Sequence, residues 1–385
     1  MVLHLPPLYP ITDPRSPVPL STQVLNLGEA GFPLVQFRGK PLDAAAQWTE
    51  LRAALAGAAE RGGWPAICVN DRADLAVLAA AEGLAPWGLH LGQTDLPPAE
   101  ALRLPGLGAC HLGASTHGPG EWNAPDPAFD HAGVGPFRPT STKGDHEPPV
   151  GLQGLREGAS ALRTRGVAPV AIGGLTGADA SACFGAGAEA LAMVGEISRS
   201  GNPRELLWAA QAARWAARPV LERGRGVVII GGSGAGKSTL ARALARRLGL
   251  PARDSDREIG GSIPDLFRER GEAGFRLLEA ESVARCLERP CVAALGGGAW
   301  EDPATRRRVR EAGFTALWLA EVPALAWARV GGDPDRPLAA EREAFLGRYR
   351  RRTAAWWEAP MVLPLGRTPG ELADELVKKD GCTYP

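Results

Sequence analysis

The chain has 385 residues, too many for one ordinary hydrophobic core and enough for two. Its 43 basic residues balance 43 acidic ones, which argues against a broad nucleic-acid or membrane surface and for small-molecule partners. The six cysteines form no C-x-x-C pair, no apolar run nears the ~18 residues of a membrane span, and the start lacks a basic-then-apolar leader, so a reducing cytoplasm and no disulfides are expected.

In chain order, short apolar runs alternate with Ala/Leu-rich segments of helical spacing from residue 7 to about 197. The runs lie near Leu8 to Thr12, Leu34 to Phe37, Ala66 to Asn70, Gly88 to Leu91, Gly108 to Gly113, Ala132 to Gly135, Pro169 to Ile172 and Ala190 to Val194. Their starts fall about 20 to 37 residues apart, the spacing of βα units, and eight such units predict a parallel (β/α)8 TIM barrel. An open doubly wound sheet is the alternative. Glu205 to Arg218 reads as the closing helix and Pro219 to Gly226 as a linker. The division is therefore a barrel over 1–205, closing helix and linker over 206–225, and a second α/β domain over 226–385.

Only five of the 43 basic residues are lysine: Lys40, Lys143, Lys237, Lys378 and Lys379. The last two sit in a polar tail and read as solvated. The other three each fall inside a stretch able to bind phosphate, where a compact ammonium is wanted rather than the arginine used elsewhere.

In a parallel barrel chemistry sits at the C-terminal ends of the strands. Here those ends carry Gln36-Phe37-Arg38-Gly39-Lys40, Asn70-Asp71, His90 to Asp95, Ser115-Thr116-His117, Thr140 to Lys143, Gly173-Gly174 and Val194-Gly195. Asp71 and Asp95 are hard oxygen donors of the kind that hold Mg²⁺ on a pyrophosphate. The loops after the last two strands commonly form a phosphate site. His90 and His117 are left without a catalytic role, because a hydrogen-bonded structural imidazole is an equal reading. The set of strand ends resembles thiamine phosphate synthase. That resemblance implies condensation of a hydroxymethylpyrimidine diphosphate with a thiazole phosphate. It assigns Gln36, Arg38, Lys40, Asn70, Ser115 and Lys143 to the pyrimidine diphosphate, and Thr140, Thr142, Gly174, Val194 and Gly195 to the thiazole phosphate. A thiazole tautomerase on the same fold, or a barrel that only binds a thiamine precursor and regulates its neighbour, are the rival readings.

The second domain opens on an apolar strand, Val227 to Ile230, then Gly231-Gly232-Ser233-Gly234-Ala235-Gly236-Lys237-Ser238-Thr239 and a helix from Leu240. This is G-x-x-x-x-G-K-[ST] in its strand–loop–helix setting. Backbone N–H groups from Gly234 to Thr239 curl around the ATP phosphates, Lys237 reaches the outer ones, and the Ser238 hydroxyl can ligate Mg²⁺. Downstream come Asp254-Ser255-Asp256, Gly271-Glu272-x-x-Phe275-Arg276-x-x-Glu279, Gly296-Gly297-Gly298 and Arg336-Pro337-Leu338, in that order. With the P-loop they resemble shikimate kinase over residues 227 to about 378, implying a nucleoside-monophosphate-kinase-like three-layer α/β/α fold. The resemblance places Asp254 with Ser238 on the metal, and Asp256, Arg276, Gly297 and Arg352 on shikimate. It puts Arg336 in a lid over the phosphates and Arg329 and Arg367 near the adenine, and gives Lys237, Asp256 and Arg336 the catalytic roles. A gluconate-type kinase is the runner-up. The stretch between Asp256 and Arg276 is about one helical turn shorter than the resembled pattern, and Trp356 stands where a tyrosine is usual. The expected partners are thus ATP, shikimate and thiamine precursors, with Mg²⁺ in both domains and no nucleic acid or membrane; oligomeric state stays open.

Overall fold

The structure is a computed structural model that describes residues 3–123, 129–139, 148–218, 221, 224–333 and 336–377. It divides into two compact units, Met1–Arg218 and Pro219–Pro385.

Eight parallel strands make the first unit: β1 (Leu8–Pro10), β2 (Leu34–Phe37), β3 (Ala66–Asn70), β4 (Gly88–Leu91), β5 (His111–Thr116), β6 (His131–Val134), β7 (Ala168–Ile172) and β8 (Ala190–Met193). They pair in the order β1-β8-β7-β6-β5-β4-β3-β2. A parallel bridge between Ile11 and Gln36, with Thr12 N–H donating to Gln36 O at 3.0 Å, joins the two ends into a nearly closed barrel. The strands are buried along almost their whole length, as strands covered on both faces must be.

The fifth strand begins three residues later than its apolar run suggests. Leu107 N–H is spent on Leu104 O and Cys110 N–H on Leu107 O, so a turn consumes those backbone groups and the ladder starts at His111. In consequence Ser115 and Thr116 sit on the strand itself, where the ladder fixes their direction. Gly113 on β5 has a packing reason: a Cβ there would lie 2.2 Å from His131 Nε2 and 2.6 Å from His90 Nδ1. The two imidazoles fill the barrel interior, with ring centroids 5.7 Å apart. His131 is wholly buried, and burial pushes its pKa down to about 3, so it stays neutral.

The closing helix, Pro203–Ala217, is tied to the bottom of the barrel by charge. Glu189, just before β8, faces Arg163 at 2.9 Å, Arg218 at 3.6 Å, Arg214 at 4.0 Å and His4 at 3.6 Å. Burial alone would raise the Glu189 pKa, but His4, Arg214 and Arg163 outweigh it and bring it down to about 2. The buried Arg214 also donates to Leu5 O at 2.5 Å, which fastens the segment ahead of β1 to the last helix.

The second unit is a five-stranded parallel sheet of β9 (Val227–Ile230), β10 (Ala252–Asp254), β11 (Val292–Ala294), β12 (Thr315–Leu319) and β13 (Met361–Val362). The order is β10-β11-β9-β12-β13. The chain builds β10 and β11 on one side of β9 and then crosses to place β12 and β13 on the other, so the strand order reverses around β9 and makes its carboxyl end the topological switch point where ligands bind in such sheets. The P-loop starts there. Val227 to Ile230 are fully buried at the sheet's centre. Among the described residues no helix is long and apolar enough to cross a membrane.

Candidate active sites

In the second unit the helix Lys237–Leu248 follows the glycine loop directly. Gly234 takes φ +79°, and a Cβ on it would lie 2.3 Å from Ala326 O, so only glycine lets the loop close under that carbonyl. Lys237 Nζ donates to Gly232 O at 2.9 Å. Burial, joined by Arg336 and Arg352, pulls its pKa down to about 8 against the attraction of Asp256 and Asp254. Ser238 Oγ donates to Asp254 Oδ2 at 2.6 Å, while Asp254 Oδ1 accepts from Asp256 N–H at 3.1 Å. Two hard oxygen donors in contact beside a phosphate loop form a donor set that fits Mg²⁺. Asp256 is largely buried, and burial raises its pKa; Lys237 opposes that and Asp254 adds to it.

A cleft of about 100 Å³ opens beside the loop, lined by Asp256, Arg276, Glu279, Gly297, Arg336 and Arg352 among others. The triple glycine explains how so many long side chains meet there. A Cβ on Gly296 would lie 2.5 Å from Glu279 Oε1 and 2.6 Å from Asp256 Oδ1; on Gly297, 3.2 Å from Arg352 Nη1; on Gly298, 2.3 Å from Arg276 Nη1. Gly296 yields its side-chain space to two functional groups, and Gly297 and Gly298 to one each. Arg276 donates to Glu279 Oε2 at 2.6 Å and to Glu272 Oε1 at 3.2 Å. Glu272, Arg276 and Glu279 stand four and three residues apart on one helix face, in the stretch that follows the break of the helix Ile263–Cys286 at Gly271, where φ is +66°. Glu279 is buried, which raises its pKa in spite of Arg276. Arg352, also buried, pairs through Nε with Glu301 Oε1. Arg336 Nη1 donates to Ser233 Oγ at 2.9 Å and so lies across the loop. Trp356 lines the same cleft, with its ring 5.0 Å from Tyr349.

The predicted residues thus fall into two groups. Asp256, Arg276, Gly297, Arg336 and Arg352 share the cleft. Arg329 reaches the P-loop from outside, donating to Gly234 O at 3.0 Å and pairing with Glu321 at 2.6 Å. Arg367 does not line the cleft: its guanidinium is tucked against Glu375 on the last helix, and burial lowers its pKa to about 10. Glu279 and Glu301 are additions that the sequence reading left without a role. The three-residue step from Arg276 to Glu279 was the signal for the first; nothing local signalled the second.

At the barrel mouth a cavity of about 480 Å³ is lined by Gln36, Arg38, Asn70, Ser115, Gly174, Val194 and Gly195, all predicted from the strand ends. His90 Nε2 lies 3.1 Å from Ser115 Oγ and links that hydroxyl to the interior imidazoles. Arg38 is largely buried, and its backbone N–H donates to Thr12 Oγ1 at 2.8 Å. Lys40, Asp71 and Asp95 form a separate cluster that continues from Asn70. Lys40 Nζ sits 2.5 Å from Asp71 Oδ2, and Gly92 N–H donates to Asp95 Oδ2 at 2.7 Å. Burial alone would raise both carboxylates. Asp71 is nevertheless brought down by Lys40, whereas Asp95 is left raised, in part by Asp71 itself. Two carboxylates in one cluster offer hard oxygen donors of the kind that fit a divalent cation. Thr140, Thr142 and Lys143 lie outside the described residues. Asp13, Arg15, Glu196 and Arg199 also line the cavity and had not been singled out.

The two sites define a P-loop phosphotransferase and a phosphate-handling parallel barrel in one polypeptide. Comparison with known proteins carries this further. Residues 233–377 match the shikimate kinase family model and residues 8–197 the thiamine monophosphate synthase family model. A shikimate kinase from Ruegeria pomeroyi is 42% identical over 145 residues, 36% of this chain and 74% of that protein. One from Persephonella marina is 32% identical over 160 residues, 40% of this chain and 97% of that protein. A solved thiamine phosphate pyrophosphorylase from Pyrococcus furiosus is 22% identical, covers 55% of this chain and 97% of its own, and has a TM-score of 0.46. The chain belongs to the shikimate kinase family through its second unit, and its first unit carries the thiamine monophosphate synthase match.

Proposed function

We propose that this is a bifunctional cytoplasmic enzyme: its second unit transfers the γ-phosphoryl group of ATP to the 3-hydroxyl of shikimate, and its first unit makes thiamine phosphate. The observation that carries the kinase reading is the convergence of Asp256, Arg276, Gly297, Arg336 and Arg352 on one cleft beside P-loop residues Gly232 and Ser233, with Lys237 within electrostatic reach of Asp256, Arg336 and Arg352. Guanidinium forks suit a planar carboxylate, so Arg276 and Arg352 hold that end of the acceptor. Glu279 and Glu301 keep the two forks aimed until it arrives. Asp256, its basicity raised by burial, orients the attacking hydroxyl and takes its proton as the new P–O bond forms and ADP leaves. Lys237 and Arg336 offset charge on the oxygens around the transferring phosphorus. When bound, Mg²⁺ neutralises the β- and γ-phosphates, held from the protein side by Ser238 and Asp254.

In the barrel, Gln36, Asn70 and Ser115 are assigned to the pyrimidine ring, and Arg38, Lys40 and Lys143 to its diphosphate. The C–O bond to pyrophosphate breaks, and the thiazole nitrogen closes on the methylene carbon. Asp71 and Asp95 would hold the cation that screens the leaving group. Thr140, Thr142, Gly174, Val194 and Gly195 are assigned to the acceptor's phosphate. The supporting observation is that seven of these residues line one cavity although they come from strand ends spread over more than 150 positions of sequence.

Purified chain supplied with ATP and shikimate, then with ATP and gluconate, tests the acceptor by mass analysis of the product. Shikimate 3-phosphate alone is expected, and phosphorylation of gluconate alone would sink the assignment. Supplying the pyrimidine diphosphate and thiazole phosphate with Mg²⁺ tests the barrel, with thiamine phosphate and pyrophosphate as the expected products.

A further inference from the structure

The loop after β7 and the loop after β8 are where a parallel barrel offers backbone N–H groups to phosphate. In this chain two successive donors of the first loop are already taken by carboxylates. Thr176 N–H and Oγ1–H both donate to Asp179 Oδ2 at 2.9 Å, and Gly177 N–H donates to Glu196 Oε2 at 2.6 Å. The two acids are not equivalent. Asp179 is buried, caps its own turn and is gripped by both Nη atoms of Arg138 at 2.6 Å, so it is part of the loop's framework. Glu196 comes from the neighbouring β8 loop, is half-buried and lines the mouth cavity together with Thr176, Val194 and Gly195. Its carboxylate accepts from Gly177 N–H next to Thr176, at the edge of that cavity. Arg199 lies over Gly195, where a Cβ would meet its Nη1 at 2.9 Å, and it lines the same cavity.

We propose that Glu196 is a specificity-determining residue of the barrel: its carboxylate stands in for the acceptor's phosphate on Gly177 N–H and competes with it. This rests on the reading of the first unit as a synthase with a phosphorylated acceptor. A phosphate entering beside Glu196 meets a like charge and one donor fewer, so it binds only once Glu196 has swung away and left Gly177 N–H and the Arg199 guanidinium to it. An acceptor bearing a neutral alcohol in place of the phosphate pays no such penalty. Glu196 therefore narrows the preference for phosphorylated over unphosphorylated thiazole.

The test uses full-length chain with Glu196→Ala, which removes both charge and occupancy, and Glu196→Gln, which removes the charge and retains an acceptor for Gly177. Binding of thiazole phosphate and of the unphosphorylated thiazole alcohol is followed by calorimetry, and KM and kcat for thiazole phosphate by thiamine phosphate formation. The expected result is thiazole phosphate binding about tenfold tighter in Glu196→Ala, with a smaller gain in Glu196→Gln. Binding of the alcohol stays unchanged, and the KM gain comes without a matching rise in kcat. Thiazole phosphate binding that is equal or weaker in both variants, at an unchanged melting temperature, overturns the proposal. If wild-type chain forms no thiamine phosphate while Glu196→Ala still binds thiazole phosphate tenfold tighter, the synthase reading fails and the assignment of Glu196 stands.

Discussion

The kinase cleft and the barrel mouth both gather charge around an expected phosphate, but they balance it differently. In the cleft the carboxylates Glu279 and Glu301 hold Arg276 and Arg352 by their edges, and Lys237 turns to a backbone carbonyl, so the cationic groups are set out before any ligand arrives. At the mouth, carboxylates of the chain occupy the groups proposed to receive the ligand: Asp71 faces Lys40, and Glu196 accepts from Gly177 N–H. On the proposed assignments the first site is preorganised for an anion, and the second has to exchange internal anions for external ones. Preorganisation saves reorganisation at the moment of reaction, so the kinase is expected to be the more active half.

That contrast can be broken by single substitutions read on both activities. The largest effect is expected from Lys237→Met, which should lower shikimate phosphorylation by on the order of 1,000-fold and leave thiamine phosphate formation untouched. Loss of both activities would show that the two sites are not independent. Asp95→Asn should cost the barrel on the order of 100-fold in kcat, partly restored by raised Mg²⁺, with no change in the kinase. Full activity in this variant would remove Asp95 from the metal site. Arg352→Lys keeps the charge and loses the fork, and should raise the KM for shikimate by about tenfold or more while the KM for ATP holds. A rise confined to ATP would instead place Arg352 on the nucleotide.

The smallest expected effect is a pH dependence peculiar to the kinase half. The Lys237 ammonium of the ligand-free chain is lost as pH rises through about 8, because burial and the neighbouring arginines disfavour its charge. ATP binding must then restore the proton, so affinity should weaken by a few-fold between about pH 7 and pH 9. Titrating ATP at several pH values would check this. Lys237→Met should bind weakly but with a flat profile over that range.

How far sequence reading reached depended on whether chemistry was local in the chain. The P-loop was fully legible, since Gly234 to Thr239 do their work through their own backbone and adjacent side chains. The strand-end rule brought Gln36, Arg38, Asn70, Ser115, Gly174, Val194 and Gly195 to one cavity because alternation along a parallel barrel fixes where such residues point. The apolar run at 108–113 misplaced β5, because apolarity does not reveal that a turn has already used the backbone groups of Leu107 and Cys110. Glu301 and Glu196 were illegible for another reason. Each acts by how far a flexible side chain reaches across a gap, onto Arg352 in one case and Gly177 in the other, and no spacing rule encodes that reach.

The measurement that bears most directly on the account is a product analysis of one purified preparation of the full chain. It would be incubated with Mg²⁺, ATP, shikimate, hydroxymethylpyrimidine diphosphate and thiazole phosphate, and followed by phosphorus NMR. The account predicts shikimate 3-phosphate and thiamine phosphate together, each formed at the rate seen when the other pair of substrates is withheld. Absence of shikimate 3-phosphate, with the P-loop and its cleft intact, would contradict it.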